Sequence, residues 1–172
     1  MDPSPRSRLG LAFAVLVVVA SAGMWVYLFF IADPDVPARL EDDAFAEEGQ
    51  AICESAVARI DELPNARDAE SPEDRAPVVE EANGILRGMV EELRAAAPTE
   101  GSDGRITRLW LEDWDTYLGD RTAYAEALSE GEDAELLVTP RSEEEGGGQI
   151  TETIDHFAQI NDMEDCVVPG DV

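Results

Sequence analysis

The chain is most constrained by an uninterrupted apolar run near its start. From Leu9 to Ala32, twenty-four residues (LGLAFAVLVVVASAGMWVYLFFIA) carry no charge. At ~1.5 Å per residue, such a helix reaches about 36 Å and crosses a hydrocarbon core of roughly 30 Å with some tilt. Arg6 and Arg8 precede the run, and Asp33 and Asp35 follow it. Positive charge is retained on the cytoplasmic side, so the expected topology is a single-pass membrane protein with its N-terminus inside and its C-terminal domain outside. Trp25 and Tyr27 stand toward the outer end, where amphipathic rings favour the interface. Ala20-Ser21-Ala22 offers the competing reading of a cleaved signal peptide. Apolar character persists through Gly23–Ile31, however, where a signal peptide turns polar, so an uncleaved anchor in membrane lipid is preferred.

The expected organisation is a cytoplasmic tail over 1–8, a transmembrane helix over 9–32, a Pro-containing tether over 33–40 and an extracytoplasmic helical domain over 41–168. About eight residues inside the cell are too few for a folded effector. The outer part is strongly acidic. Of 12 basic residues, all Arg, 10 follow residue 32, as do 38 of the 39 Asp and Glu. That field repels phosphate backbones and anionic lipid surfaces, which argues against nucleic-acid binding. The absence of Lys removes P-loop and Schiff-base chemistry, and a single His removes a multi-His metal site.

Apolar spacing in the outer part is helical. Phe45, Gly49, Ile52, Ala56, Ile60 and Leu63 recur in steps of three and four, and Pro64-Asn65 ends the pattern. Ser71-Pro72-Glu73-Asp74 reads as a helix start, with a kink or a later start at Pro77. The stripe Val78, Ala82, Ile85, Met89, Leu93, Ala96 follows and ends at Pro98. Thr99–Gly104 reads as a turn, and a third helix as running from about Arg105 to Ser129. Residues 130–148 are irregular, with Leu136-Leu137-Val138 as a short extended piece and a Ser142–Gly148 run of acid then glycine. A fourth helix fits 150–163, with Ile150, Ile154, Phe157 and Ile160 or Asn161 on one side. Together these predict an all-α fold: an N-terminal transmembrane helix followed by an antiparallel bundle of about four helices.

Cys53 lies in the first stripe and Cys166 just past the fourth helix. Outside the cytoplasm, two cysteines favour one disulfide. Arg121 falls on the aromatic stripe of the third helix, four residues after Tyr117 and three before Tyr124. There it could stack on the rings and offer its fork to an anionic ligand, or pair internally with an acid while its stem covers the core; the internal pair is preferred. Trp110, Trp114, Tyr117 and Tyr124 could form a binding platform, although such a stripe is more often core. His156 is expected at a surface or boundary position. The Glu-x-x-His spacing of di-iron bundles is absent, as are a nucleophile elbow and a calcium loop. No catalytic residue, metal site or cofactor is therefore assigned.

The residues Trp110-x-x-x-Trp114-x-x-Tyr117-x-x-x-Arg121-x-x-Tyr124, then Asn161-x-Met163-x-x-Cys166, carry a resemblance. With Cys53, the chain resembles a group of uncharacterised single-pass membrane proteins of high-GC Gram-positive bacteria over most of residues 50–168. The resemblance implies an anchored, exported, disulfide-linked helical domain of unknown role, with no catalytic residues to carry over. The leading expectation is a non-enzymatic module that binds another envelope or membrane protein. The alternatives are a sensor or carrier of a small anionic ligand using Arg121 and the aromatic face, and an enzyme using carboxylates as acid and base.

Overall fold

The computed structural model describes residues 17–24, 39–141 and 147–171. The chain divides into two compact units, residues 1–35 and 36–172. In the first, residues 17–24 are helical, with Val17, Val18, Val19 and Met24 exposed. Among the described residues, no helix is long and apolar enough to cross a membrane. The rest of the expected span, including Trp25 and Tyr27, and most of the tether lie outside the described residues.

The second unit is all-α, with four packed helices and, among the described residues, no strand. They are α1 (Ala44–Asp61), α2 (Pro72–Ala96), α3 (Gly101–Ser129) and α4 (Ile150–Ile160). Helix α1 packs on α2, α2 on α3 and α3 on α4. The circuit is completed by a single 3-10 turn, Glu164–Cys166, which lies against both α4 and α1. Cross-helix pairs fix α2 and α3 as antiparallel: Arg94 meets Asp115 near the connecting turn, and Asn83 meets Arg121 farther along.

Local sequence explains the helix ends. The Ser71 side chain accepts the Asp74 amide at 3.1 Å, and Pro72 occupies the first turn, where its missing N–H costs nothing. Pro77 sits inside α2 without ending it. Helix α3 begins at Gly101 rather than near Arg105. Gly101 turns the chain in with a φ of 74°. At Gly104 an added Cβ would lie 2.8 Å from the Pro98 carbonyl oxygen, so glycine lets the preceding turn rest on the helix.

The C-terminal ends of α3 and α4 share one solution. Gly131 (φ 82°) sends its amide to the Leu128 carbonyl while Glu132 bonds Ala127. Asp162 (φ 59°) likewise bonds Gln159 while Met163 bonds Ala158. Both are Schellman closures. The second stops α4 at Ile160, three residues before the spacing implied, and turns Asn161 and Met163 inward.

The core is wider than single stripes suggest. In α2 the buried position is Val79, with Val78 half-buried, and Asn83 and Leu86 widen the face. In α1, Cys53 is buried and Ile52 flanks it. Gly49 makes room for Met163, whose Cε would lie 2.5 Å from an added Cβ. Residues 130–141 run back along α3. Asp120 accepts both the amide and the hydroxyl of Thr139, and Pro140 forms an isolated antiparallel bridge with Gln149. Leu136 and Val138 face inward while Leu137 is 79 % exposed, the alternation of an extended segment.

Candidate functional site

The third helix carries the candidate residues, and its register decides where they point. Trp110, Trp114, Tyr117, Arg121 and Tyr124 step by four, three, four and three, so all lie on the buried face of the helix. All five are buried. Trp110 stacks on Phe157 of α4, with ring centroids 4.8 Å apart, and meets Phe45 of α1 edge-on at 6.3 Å. Its indole N–H reaches the Ile154 carbonyl at 3.2 Å. Trp114 touches both Trp110 and Tyr117 edge-to-face. These rings form the middle of the core, and their mutual geometry suits the aromatic quadrupole. The Trp114 indole N–H and the Thr107 hydroxyl are buried without a hydrogen-bond partner among the described residues.

Arg121 has no exposed surface. Its guanidinium makes a bidentate pair with Asp171, Nη1 to Oδ1 at 2.7 Å and Nη2 to Oδ2 at 2.6 Å. Its Nε donates to the Asn83 side-chain oxygen at 2.6 Å, and Asn83 donates in return to the Arg121 main-chain carbonyl at 3.2 Å. Nη1 also approaches the Tyr117 hydroxyl at 3.4 Å, and the guanidinium carbon lies 5.7 Å from that ring's centroid. Burial works against the guanidinium's charge. The Asp171 carboxylate outweighs it, and the Arg121 pKa stands above its ordinary value. Burial likewise raises the Tyr117 phenol, against the opposing pull of Arg121.

Two members of this group, Asn83 and Asp171, differ in how far the sequence signals them. Asn83 had a signal, a polar residue inside the apolar face of α2. Asp171 had none, because it lies in a tail with no periodicity, fifty residues from its partner.

That tail is stitched to the rest of the domain along its length. Asn161 accepts the Leu40 amide, Asp165 pairs with Gln50, and Asp155 accepts the Val168 amide at 2.8 Å. Burial raises the Asp155 pKa, with the Val168 amide opposing. Cys53 and Cys166 form a disulfide, their Cα atoms 5.1 Å apart and both residues wholly buried. A linkage of this kind points to an oxidising, extracytoplasmic domain.

His156 is exposed. Among the described residues, no group of three or more His, Cys, Asp or Glu is placed to hold a metal ion. Acids instead crowd the exposed faces: Glu47, Glu48, Glu54, Asp61 and Glu62 on and after α1, and Glu80, Glu81, Glu91 and Glu92 on α2. Compared with family models, with curated proteins and with solved structures, the chain gives no match.

Proposed function

We propose that this protein is a membrane-anchored helical module, held outside the cytoplasm, that works by binding another envelope or membrane protein rather than by catalysis. The supporting observation is the placement of its reactive groups. Arg121 is engaged by Asp171 and the aromatic ladder is packed against Phe45 and Phe157, so the side chains with the greatest chemical range point inward. What α1 and α2 present outward is a dense acidic surface. Such a surface favours a basic protein face and disfavours phosphate-rich partners. The uncharged run over 9–32 would keep the domain at the membrane.

Crosslinking in intact cells tests the reading. A defined partner should be recovered with the anchored chain, and recovery should weaken when exposed acids of α1 are changed to Gln. No partner from the anchored chain, together with full complementation of a deletion by the domain without residues 1–35, would refute it.

A further inference from the structure

The surroundings of Arg121 divide into a part built into the helices and a part supplied by the tail. Helices provide Asn83, which fixes the guanidinium through Nε, and Tyr117, which covers it. Both terminal nitrogens, the fork that reads a carboxylate, are aimed at Asp171. Asp171 belongs to a stretch, Val167–Asp171, without regular secondary structure. Among the described residues, two polar ties hold that stretch to the helices: the Val168 amide on Asp155, and Asp171 itself. Its Asp171 side chain reaches solvent at 16 % exposure, whereas Arg121 is fully covered. Removing the strap would therefore leave the guanidinium oriented, with its fork open toward the surface.

An open cleft of about 240 Å³ lies directly beside Gly170 and Asp171. Its walls include Ile60, Leu63, Val78 and Ala82, with Asn65, Asp61 and Arg67 at the polar side. A carboxylate replacing Asp171 would have apolar wall on which to lay a short hydrocarbon chain.

We propose that Arg121, Asn83 and Tyr117 form a receptor for a small monocarboxylate, and that the Val167–Asp171 strap is its internal competitor, so that ligand binding and strap release are one exchange. An unpaired guanidinium at this depth is costly, so the strap leaves when another anion arrives and not before. The acidic field of the domain disfavours a dianion more than a single negative charge. The docking reading and this one are independent, because the strap acts at the Arg121 end of the bundle whether or not a protein binds outside.

The test uses the full-length chain in non-ionic detergent, with butyrate as probe and inorganic phosphate as comparison. In Asp171→Ala the receptor loses its competitor, and butyrate should raise the melting temperature saturably by several degrees. Acetate should do so more weakly and phosphate least. The Asp171→Ala/Arg121→Met double variant should not respond. In the unaltered chain, butyrate should shift the Arg121 Nε–H resonance and remove hydrogen-exchange protection from the Val168 amide, a readout that stands even if the variant fails to fold. The proposal is overturned by equal butyrate stabilisation of the single and double variants, or by no change in either signal of the unaltered chain.

Discussion

The two ends of the α2–α3 hairpin are built from different materials. Near the connecting turn, Trp110, Trp114, Phe45, Phe157, Leu93 and Met163 surround the Cys53–Cys166 disulfide in one large cluster. At the far end a small separate cluster holds Ala66, Ala76, Val79, Tyr124, Ala125 and Leu128. The 29 residues of α3 span about 43 Å, while the 11 of α4 span about 16 Å. Helix α4 therefore covers the first part of α3 and leaves the rest to α2 and to the returning segment 130–141. Arg121 stands at the junction. Where a fourth helix would bring apolar side chains, the tail brings one carboxylate. Short of helix, the fold closes the gap with an ion pair, and that makes the far end the place where an exchangeable contact can sit.

The largest expected effect breaks the near end. Reducing the disulfide, or changing Cys166 to Ser, removes a closure spanning 113 positions. The chain-entropy model assigns such a loop about 4–5 kcal/mol. Urea unfolding with and without reductant should show a loss of that size. A loss under 1 kcal/mol would mean that the tail is held by its packing alone.

Next in size are the two partners of the ion pair, which should not be equivalent. Asp171→Ala strands a guanidinium with no exposed surface and should cost about 3–5 kcal/mol. Arg121→Met leaves a carboxylate at the edge, where water can reach it, and fills the space with apolar volume, so it should cost clearly less. Equal losses in urea titrations of the two variants would contradict the asymmetry.

Cavities should also cost more at the near end than at the far end. Trp114→Ala at the near end should cost about 3–5 kcal/mol. Leu128→Ala at the far end should cost about 2–3 kcal/mol, because the small cluster around it can collapse more readily. Hydrogen exchange should follow the same order, with slower amides around Trp110 than around Tyr124. The reverse order would show that the α2 contact alone is the stronger one.

The smallest effect is a pH dependence. Burial raises the folded pKa of Asp155 above its ordinary 3.8, so the folded state holds this proton more tightly than the unfolded chain does. Its contribution to stability is then greatest below that ordinary value and declines as pH rises through the raised one. Asp155→Asn should remove the decline, stabilising the protein slightly at neutral pH and leaving it unchanged in acid, while Asn still accepts the Val168 amide. Destabilisation at neutral pH with no change in acid would show that the charge on Asp155, rather than its burial, dominates at this site.

The contrast between the ends also explains what the sequence disclosed. The near end is regular: stripes at three and four place Phe45, Ala56, Met89, Leu93, Trp110 and Trp114 in the core, and the cysteines fall where two of its elements meet. Arg121 on such a stripe already required a partner. Asp171 could not be named, because thirty-nine acids were available and the tail has no spacing that fixes a direction. The start of α3 at Gly101, earlier than the spacing implies, is hidden for a related reason. Gly101 and Gly104 look like turn residues, yet Gly104 is glycine because the Pro98 carbonyl crosses it inside a helix. The end of α4 depends on Asp162 adopting a left-handed conformation that asparagine or glycine would have advertised more clearly.

An exported, disulfide-closed domain is tested by the state of the two sulfurs in the chain taken from its own cells. Cells are quenched with acid, the protein is denatured without reductant and treated with iodoacetamide, and its mass is measured. An oxidised domain outside the cytoplasm takes up no label, and two labels once reductant is supplied. Two labels without reductant would place Cys53 and Cys166 as free thiols in a reducing compartment and would contradict it.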